Sequence, residues 1–152
     1  MKRTEATLDA SGKRFVIVAA RWNEFVVKQL VDGAEREFRM HGSPSIEVVW
    51  VPGTWEIPSA ADRAAESSPD GIVALGCILQ GATIHAAQLS NQVAASLCDV
   101  SLRRGIPITW GVLTCDTQEE AIERAGMKLG NKGDEAARAA IELASVMCKV
   151  NA

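Results

Sequence analysis

The sequence is poor in the residues that form metal centres and disulfide frameworks. Its 152 residues include two histidines and four cysteines, and no two cysteines form a Cys-x-x-Cys pair. So few and such widely spaced ligands predict no metal site. We interpret all four cysteines as reduced residues that pack in the interior: Cys77, Cys98, Cys115 and Cys148.

Long apolar runs and a strong excess of one charge are also missing. No run approaches the ~20 residues of a membrane span, and Met1 to Lys13 lacks the hydrophobic core of a signal peptide. A net charge of −3, with 47% hydrophobic and 23% charged residues, is typical of globular proteins and provides no basic surface for nucleic acid. We therefore expect a cytoplasmic protein that binds neither membranes nor nucleic acid.

The length fits one domain. A chain of 152 residues can bury a core without support from metal or disulfides. Residues 1–13 are polar and mixed, and Thr4 to Leu8 is just long enough for a short strand before the Ser11-Gly12 turn. We expect a single domain over residues 1–152, with an N-terminal arm (1–13) whose strand pairs with a neighbouring subunit.

Apolar, β-branched runs alternate with helical patterns along the rest of the chain. The predicted strands are Arg14 to Ala20, Ile46 to Val51, a run from Val73, and Ile108 to Leu113. The predicted helices are Glu24 to Met40, one ending near Glu66, Thr83 to Arg104, Thr117 to Ala125, and Asp134 to Lys149. This alternation predicts right-handed crossovers and a four-stranded parallel sheet in a flavodoxin-like three-layer α/β/α sandwich.

Residues that are unusual for packing follow the predicted strands, where parallel sheets bind ligands. These are Arg21-Trp22-Asn23, Gly53 to Glu56, Gly81-Ala82-Thr83 with His85, and Trp110 near the end of the fourth strand. Together the tryptophans indicate a stacking site, although any one of them is equally well explained as a core residue. On spacing alone, Glu56 is better explained as a first-turn carboxylate that the helix dipole favours. Asn23 is also suited to cap the first helix.

The stretch from Val73 to His85 reads as a buried strand, a tight turn and the start of a helix. Gly81 lets the backbone approach a ligand, and the helix N-terminus favours an anion such as phosphate. His85, in the first helical turn, is suited to general acid or base catalysis. Such turns also serve plain packing, and by composition Arg124 and Lys132 are ordinary surface cations.

Five segments carry the most specific patterns. They are Ala20 to Asn23, Val51 to Pro58, Gly81 to His85, Gly111 to Thr114, and Ala121 to Gly126 continuing through Gly130 to Gly133. In this order they resemble the 6,7-dimethyl-8-ribityllumazine synthases of riboflavin biosynthesis, over nearly the whole chain from about Arg14. The resemblance implies a pentamer with active sites between subunits, and neither metal nor redox cofactor. The short Gly126 to Gly133 connection resembles members that form 60-mers of twelve pentamers.

The resemblance also implies a reaction. The family condenses 5-amino-6-(D-ribitylamino)uracil with 3,4-dihydroxy-2-butanone 4-phosphate, and releases phosphate and water. Trp22 matches the position that stacks on the pyrimidine, with Asn23 beside it. The uracil and ribityl pocket would be lined by Thr54, Trp55 and Glu56, with backbone contacts from Cys77, Ile78 and Leu79.

The phosphorylated ketone has its own implied set of residues. Ala82 and Thr83 would hold the phosphate, and Arg124 of the neighbouring subunit would complete the clamp. His85 would transfer protons. Two further residues of the neighbour would lie at the site: Trp110, at a position that is usually Phe, and Lys132.

The chain departs from the family on the helix that carries His85. Ala86, Ala87 and Gln88 replace an aromatic residue, an acidic residue and a tyrosine, Gln80 replaces an arginine, and Gln92 replaces a glutamate. These changes leave open a second hypothesis, a related assembly that binds a flavin-like ligand or forms a shell with weak or no catalysis. A signalling receiver is excluded because it needs acidic residues where this chain has Ala-Ala-Arg-Trp.

Overall fold

The computed structural model describes residues 1–81 and 84–150. Its strands are β1 (Arg14–Ala20), β2 (Ser45–Val51), β3 (Gly71–Leu79), β4 (Ile108–Cys115), β5 (Ala125–Met127) and β6 (Gly130–Asn131). Its α-helices are α1 (Glu24–Met40), α2 (Ile57–Ala65), α3 (His85–Arg104), α4 (Gln118–Glu123) and α5 (Lys132–Val150). In the described ranges no helix is both long and apolar enough to cross a membrane.

The four long strands form one parallel sheet in the order β2-β1-β3-β4. Alternation of side chains in β1 divides the core into two layers. Phe15, Ile17 and Ala19 pack with α1 and α5, whereas Val16 and Val18 pack with α2 and α3. The predicted flavodoxin-like α/β/α sandwich is therefore confirmed.

Most element boundaries agree with the sequence prediction, and the differences have local causes. β1 and α1 have the predicted bounds. In the predicted helix Thr117 to Ala125, Thr117 and Glu120 form a capping-box pattern, and its bond is present: Glu120 N donates to Thr117 Oγ1 at 3.2 Å. α5 begins two residues earlier than predicted, because the side chain of Asn131 caps it. The apolar spacing of the predicted helix Thr83 to Arg104 places Leu102 on or near its buried stripe, but Leu102 is 80% exposed.

The N-terminal arm contacts its own chain. Thr7 N donates to Ser145 Oγ at 3.0 Å, Lys149 Nζ donates to Glu5 O at 2.8 Å, and Ala10 is fully buried. Residues 1–10 have no strand in the single chain. Pairing of the arm with a neighbouring subunit stays a prediction.

The cysteines fall into two groups. All four are free, and Cys77 and Cys115 are buried as predicted. Cys98 and Cys148 are exposed, so the interpretation of all four as packing residues was wrong for these two. Both lie on solvent-facing positions of the long helices α3 and α5.

A buried carboxylate connects α1 to α5. Glu37 is 4% exposed, and its Oε1 lies 2.7 Å from Arg138 Nε and 3.0 Å from His41 Nε2. Burial raises the pKa of Glu37, but hydrogen bonds and charges from Arg138 and His41 outweigh burial and hold the pKa below its usual value of 4.5. The ionised carboxylate therefore stabilises the fold above that pH, and its contribution is lost as the pH falls.

Replacing Glu37 by glutamine should lower the melting temperature at pH 7. The expected loss is roughly 1–2 kcal/mol, because Arg138 loses a charged partner but remains partly solvated. The difference between the two proteins should begin to shrink as the pH falls below about 4.5, where the unfolded chain binds the proton, and should vanish below the lowered pKa of native Glu37. Thermal denaturation monitored by circular dichroism across this pH range measures both effects.

The matched control is Glu24→Gln. Glu24 forms an exposed pair with Lys28 at 4.0 Å on the same helix, so its loss should have no measurable effect. A Glu37→Gln variant with wild-type stability at pH 7 would contradict the assignment of Glu37 as an interhelical tie.

Candidate functional site

A cavity of about 660 Å³ lies at the carboxyl edge of the sheet. The loops after β1, β2 and β3 and the first turns of α3 line it together. The lining residues are Trp22, Asn23, Pro52, Gly53, Thr54, Trp55, Glu56, Cys77, Ile78, Leu79, Gly81, His85, Ala86 and Leu89. We call this space the indole cavity, after Trp22 and Trp55.

The two tryptophans line the indole cavity without packing in the core. Trp22 is 74% exposed and Trp55 is 63% exposed, which excludes the core interpretation for both within this chain. Two backbone bonds extend the β1–β2 ladder beyond the strands: Arg21 N donates to Val51 O at 2.8 Å, and Trp22 N donates to Pro52 O at 3.1 Å. The ladder thus fixes Trp22 beside the loop that carries Trp55, and leaves two indole faces for a planar ligand.

Asn23 does not act as the predicted side-chain cap of α1. Its backbone is left-handed (φ 62°, ψ 42°) and its side chain makes no capping hydrogen bond. Instead, Asn23 Nδ2 donates to the carbonyl of Cys77 at 2.8 Å. The left-handed turn directs the amide across to β3, so Asn23 ties the Trp22 loop to the neighbouring strand end.

The loop after β2 forms a 3-10 turn from Thr54 to Glu56. Thr54 is buried, and a Cβ at Gly76 would lie 3.1 Å from its Oγ1, so the glycine leaves room for the hydroxyl. Glu56 is half-buried and directly precedes α2, but its side chain makes no capping hydrogen bond. Glu56 lines the indole cavity at the positive end of α2, where the helix dipole favours a carboxylate.

His85 is the first residue of α3 and is exposed to the indole cavity. This position confirms the prediction that His85 lies in the first helical turn. Cys77, Ile78 and Leu79, at the end of β3, line the same space. Ala82 and Thr83, the predicted phosphate-binding residues, lie outside the described residues, so phosphate binding there stays a prediction.

Arg124 and Lys132 line a second cavity of about 430 Å³, next to the end of β4. Arg124 Nη1 donates to Glu120 O at 3.1 Å, and Lys132 Nζ lies 3.3 Å from Glu135 Oε2. We call this space the cation cavity. Among the described residues, it shares no lining residue with the indole cavity, where His85 lies.

Trp110 does not join the indole cavity, and its expected place near the end of the fourth strand was wrong. Trp110 is the third residue of β4. Because the strand continues to Cys115, Trp110 lies far from the carboxyl edge. It is half-buried against the α2–α3 side of the core, and lines a cleft with Leu97, Cys98 and Leu102. Within one chain, the tryptophans that line the indole cavity are therefore Trp22 and Trp55.

The family model described as 6,7-dimethyl-8-ribityllumazine synthase matches residues 12–148. The chain belongs to this family. Lumazine synthases are transferases of riboflavin biosynthesis, so the resemblance inferred from the sequence is confirmed at the level of family and enzyme class. The match covers both cavities and the loops that form them.

Two solved structures have weaker similarity to this lumazine synthase family member. The crystal structure of Drosophila Piwi has a TM-score of 0.49 and 15% identity, and the match covers 93% of this chain and 17% of that one. The periplasmic ribose ABC transporter from Conexibacter woesei has a TM-score of 0.40 and 11% identity, with 70% and 55% covered. Similarity at this level adds nothing to the description of the site.

Thiol chemistry is suppressed at the edge of the indole cavity. Burial, together with the nearby Cys115, raises the pKa of the Cys77 thiol to about 11. Burial also raises the pKa of Cys115, partly offset by the charge of Arg124. Neither residue is a candidate nucleophile. Among residues 1–81 and 84–150, no group of three or more histidine, cysteine or acidic side chains is arranged to hold a metal ion.

Sequence reasoning missed some residues that shape the two cavities. Ala86 and Leu89 of α3 line the indole cavity, although the apolar spacing of the helix predicts Leu89 on or near its buried stripe. Thr114 and Leu129 line the cation cavity. The β5–β6 ribbon was predicted only as an interruption between helices, although its glycines at 126 and 130, both with positive φ, are a turn signal.

The thiol groups should differ sharply in reactivity. We expect Cys77 and Cys115 to remain unmodified by iodoacetamide at pH 8 in the native protein. Burial raises the pKa of both thiols, that of Cys77 to about 11, so little thiolate forms. Cys148, which is exposed, should react, and all four should react in urea. Peptide mass spectrometry measures each site, and modification of Cys77 as fast as Cys148 would contradict the assigned burial.

Proposed function

We propose that the protein condenses 5-amino-6-(D-ribitylamino)uracil with 3,4-dihydroxy-2-butanone 4-phosphate to form 6,7-dimethyl-8-ribityllumazine, and releases phosphate and water. One observation supports this most: the indole cavity combines two exposed indole faces, the Glu56 carboxylate and the His85 imidazole at one sheet edge. A planar heterocycle with a polyhydroxy chain and an amine nucleophile suits this set of groups.

The uracil substrate is proposed to occupy the indole cavity. Its pyrimidine ring stacks on Trp22, and Trp55 covers the other side of the pocket mouth. Glu56 and Thr54 supply polar contacts to the ring and the ribityl chain, while backbone groups of Ile78 and Leu79 satisfy the ring edge. Asn23 contributes by holding the Trp22 loop against β3.

The phosphorylated ketone is proposed to bind at the start of α3. Free backbone N–H groups and the helix dipole favour an anion there, with Ala82 and Thr83 as the proposed contacts. Arg124 completes the clamp with charge-assisted hydrogen bonds to the phosphate. Lys132, which lines the same cavity as Arg124, adds a second positive charge.

The chemistry needs several proton transfers. The amine attacks the ketone and water leaves to give an imine, and phosphate is then eliminated. The second nitrogen attacks the remaining carbonyl, and a second water leaves as the ring closes. His85 is within the same cavity as the proposed ring position and is suited to move these protons. Much of the rate is expected from holding two reactive partners together, since the condensation is bimolecular.

Arg124 and Lys132 are proposed to act from a neighbouring copy in a pentamer. The separation of the cation cavity from the indole cavity supports this, because one chain alone leaves the phosphate site without these cations. Exposed apolar side chains also support assembly, since isolated chains rarely leave so many uncovered. They include Trp22, Phe25, Ile84, Leu102, Met127 and Leu129. Trp110 of the neighbour is proposed to close the pocket, and a 60-mer of twelve pentamers is the proposed larger form.

The test of the synthase proposal is the appearance of lumazine absorbance and fluorescence when the purified protein meets both substrates. A no-enzyme control corrects for the spontaneous reaction. Acceleration supports the synthase. A folded oligomer that gives no acceleration would contradict it, and would favour the binding or shell hypothesis, with Ala86 to Gln88 as the first residues to restore.

Replacing Arg124 by alanine should raise the KM for the ketone phosphate by about 10- to 100-fold, because charge-assisted hydrogen bonds to the phosphate are lost. The KM for the uracil substrate should stay unchanged. The control is Arg63→Ala, an exposed cation paired with Glu66 at the end of α2. An unchanged KM for the ketone phosphate in Arg124→Ala would mean that Arg124 is not the clamp.

Replacing His85 by alanine should slow turnover by up to about 100-fold without abolishing it, because general acid–base catalysis is lost but proximity remains. The measurement is kcat at saturating concentrations of both substrates, with oligomeric state checked by light scattering. Complete loss of activity in a correctly assembled protein would contradict this division of the rate.

A further inference from the structure

Asn131 is a buried polar residue that directly precedes Lys132, one of the two cations of the cation cavity. It is 5% exposed and is the last residue of β6. Its Oδ1 accepts hydrogen bonds from Gly133 N at 2.8 Å and Asp134 N at 3.2 Å, which caps α5. Its Nδ2 donates to the carbonyl of Gln29, in α1, at 2.9 Å.

Two glycines leave the space that this contact needs. A Cβ at Gly33 of α1 would lie 2.4 Å from Asn131 Oδ1, so any larger residue there displaces the amide. A Cβ at Gly133 would lie 1.9 Å from the carbonyl oxygen of Leu30, so α5 approaches α1 at backbone distance. The close approach is what allows Asn131 to reach a backbone carbonyl of α1.

The ribbon formed by β5 and β6 places Arg124 and Lys132 side by side. Lys132 N donates to Arg124 O at 2.9 Å, and Ala125 pairs with Asn131 in antiparallel register. The two cations are eight residues apart in sequence, yet both line the cation cavity. Asn131 is the ribbon residue whose side chain joins this pair to α1.

We propose that Asn131 is a positioning residue for the phosphate clamp, a proposal that rests on the function proposed above. By joining the ribbon to Gln29 of α1 while it caps α5, its amide fixes the backbone from which Arg124 and Lys132 extend. A clamp for a small anion needs its two cations at a fixed distance, because a misplacement of about 1 Å can cost up to 100-fold in rate.

The bond to Gln29 distinguishes positioning from capping. Capping needs only the Oδ1 acceptor, which serine, threonine or aspartate supplies equally well. The Nδ2 donor contributes nothing to the cap but spans to a different helix. A serine at position 131 therefore keeps the cap and removes the tie, whereas alanine removes both.

The test compares Asn131→Ser, Asn131→Ala and Gly33→Ala in the full chain, in its assembled state. We expect all three to raise the KM for the ketone phosphate, by about 10-fold as for a displaced clamp, with the KM for the uracil substrate unchanged. The serine variant should recover most of the melting temperature that alanine loses. Gly33→Ala displaces the amide of Asn131 while Asn131 itself is unchanged. This variant therefore provides the test if Asn131→Ala does not fold.

The control is Ser145→Ala, which removes a buried side-chain hydrogen bond from α5 at a position remote from the ribbon. It should lower stability without changing either KM. A wild-type KM for the ketone phosphate in Asn131→Ser would overturn the inference, as would an equal rise in Ser145→Ala. Arg124→Ala, measured in parallel, separates the two proposals. An unchanged KM there refutes the clamp itself, whereas a raised KM there with an unchanged one in Asn131→Ser refutes only the role of Asn131.

Discussion

Burial of β3 on both faces is the constraint on which the rest of the structure depends. Every residue from Gly71 to Ile78 is buried, between α1 and α5 on one side and α2 and α3 on the other. A strand covered twice needs parallel neighbours joined by helical crossovers, and this arrangement brings the loops after β1, β2 and β3 to one edge. The indole cavity is a consequence of that geometry. Hydrogen bonds such as the one from Asn23 to the carbonyl of Cys77 fix its loops.

The cation cavity depends on a different constraint, the close approach of α1 and α5 at their glycines. Gly133 lets α5 approach the backbone of Leu30 in α1, and Gly33 leaves room for the side chain of Asn131, which anchors a ribbon of two short strands. The protein thus has two cavities with different linings, one with the tryptophans and His85 and the other with Arg124 and Lys132. The proposed ring assembly would join the two between neighbouring copies of the chain.

The sequence predicted the features that follow from periodicity and local chemistry. β1, α1 and the position of His85 depend on apolar spacing and helix signals, which are local. The prediction was wrong where the position of a residue depends on a partner that is distant in the sequence. The amide of Asn23 donates to a carbonyl of β3 and does not cap α1. Trp110 lies early in β4, which pairs with β3 as far as Cys115. The tie from Asn131 to Gln29 spans 102 residues and has no local signal beyond a polar residue between glycines.

The central claim is that one active site is assembled from two copies of the chain. The most direct test mixes Arg124→Ala/Lys132→Ala chains with Trp22→Ala/His85→Ala chains, dissociates them and reassembles them together. If neighbours share a site, random mixing gives about a quarter of the sites both intact halves, and lumazine formation exceeds the mean of the two parent proteins. Activity equal to that mean, in hybrid rings verified by mass spectrometry, would contradict the account.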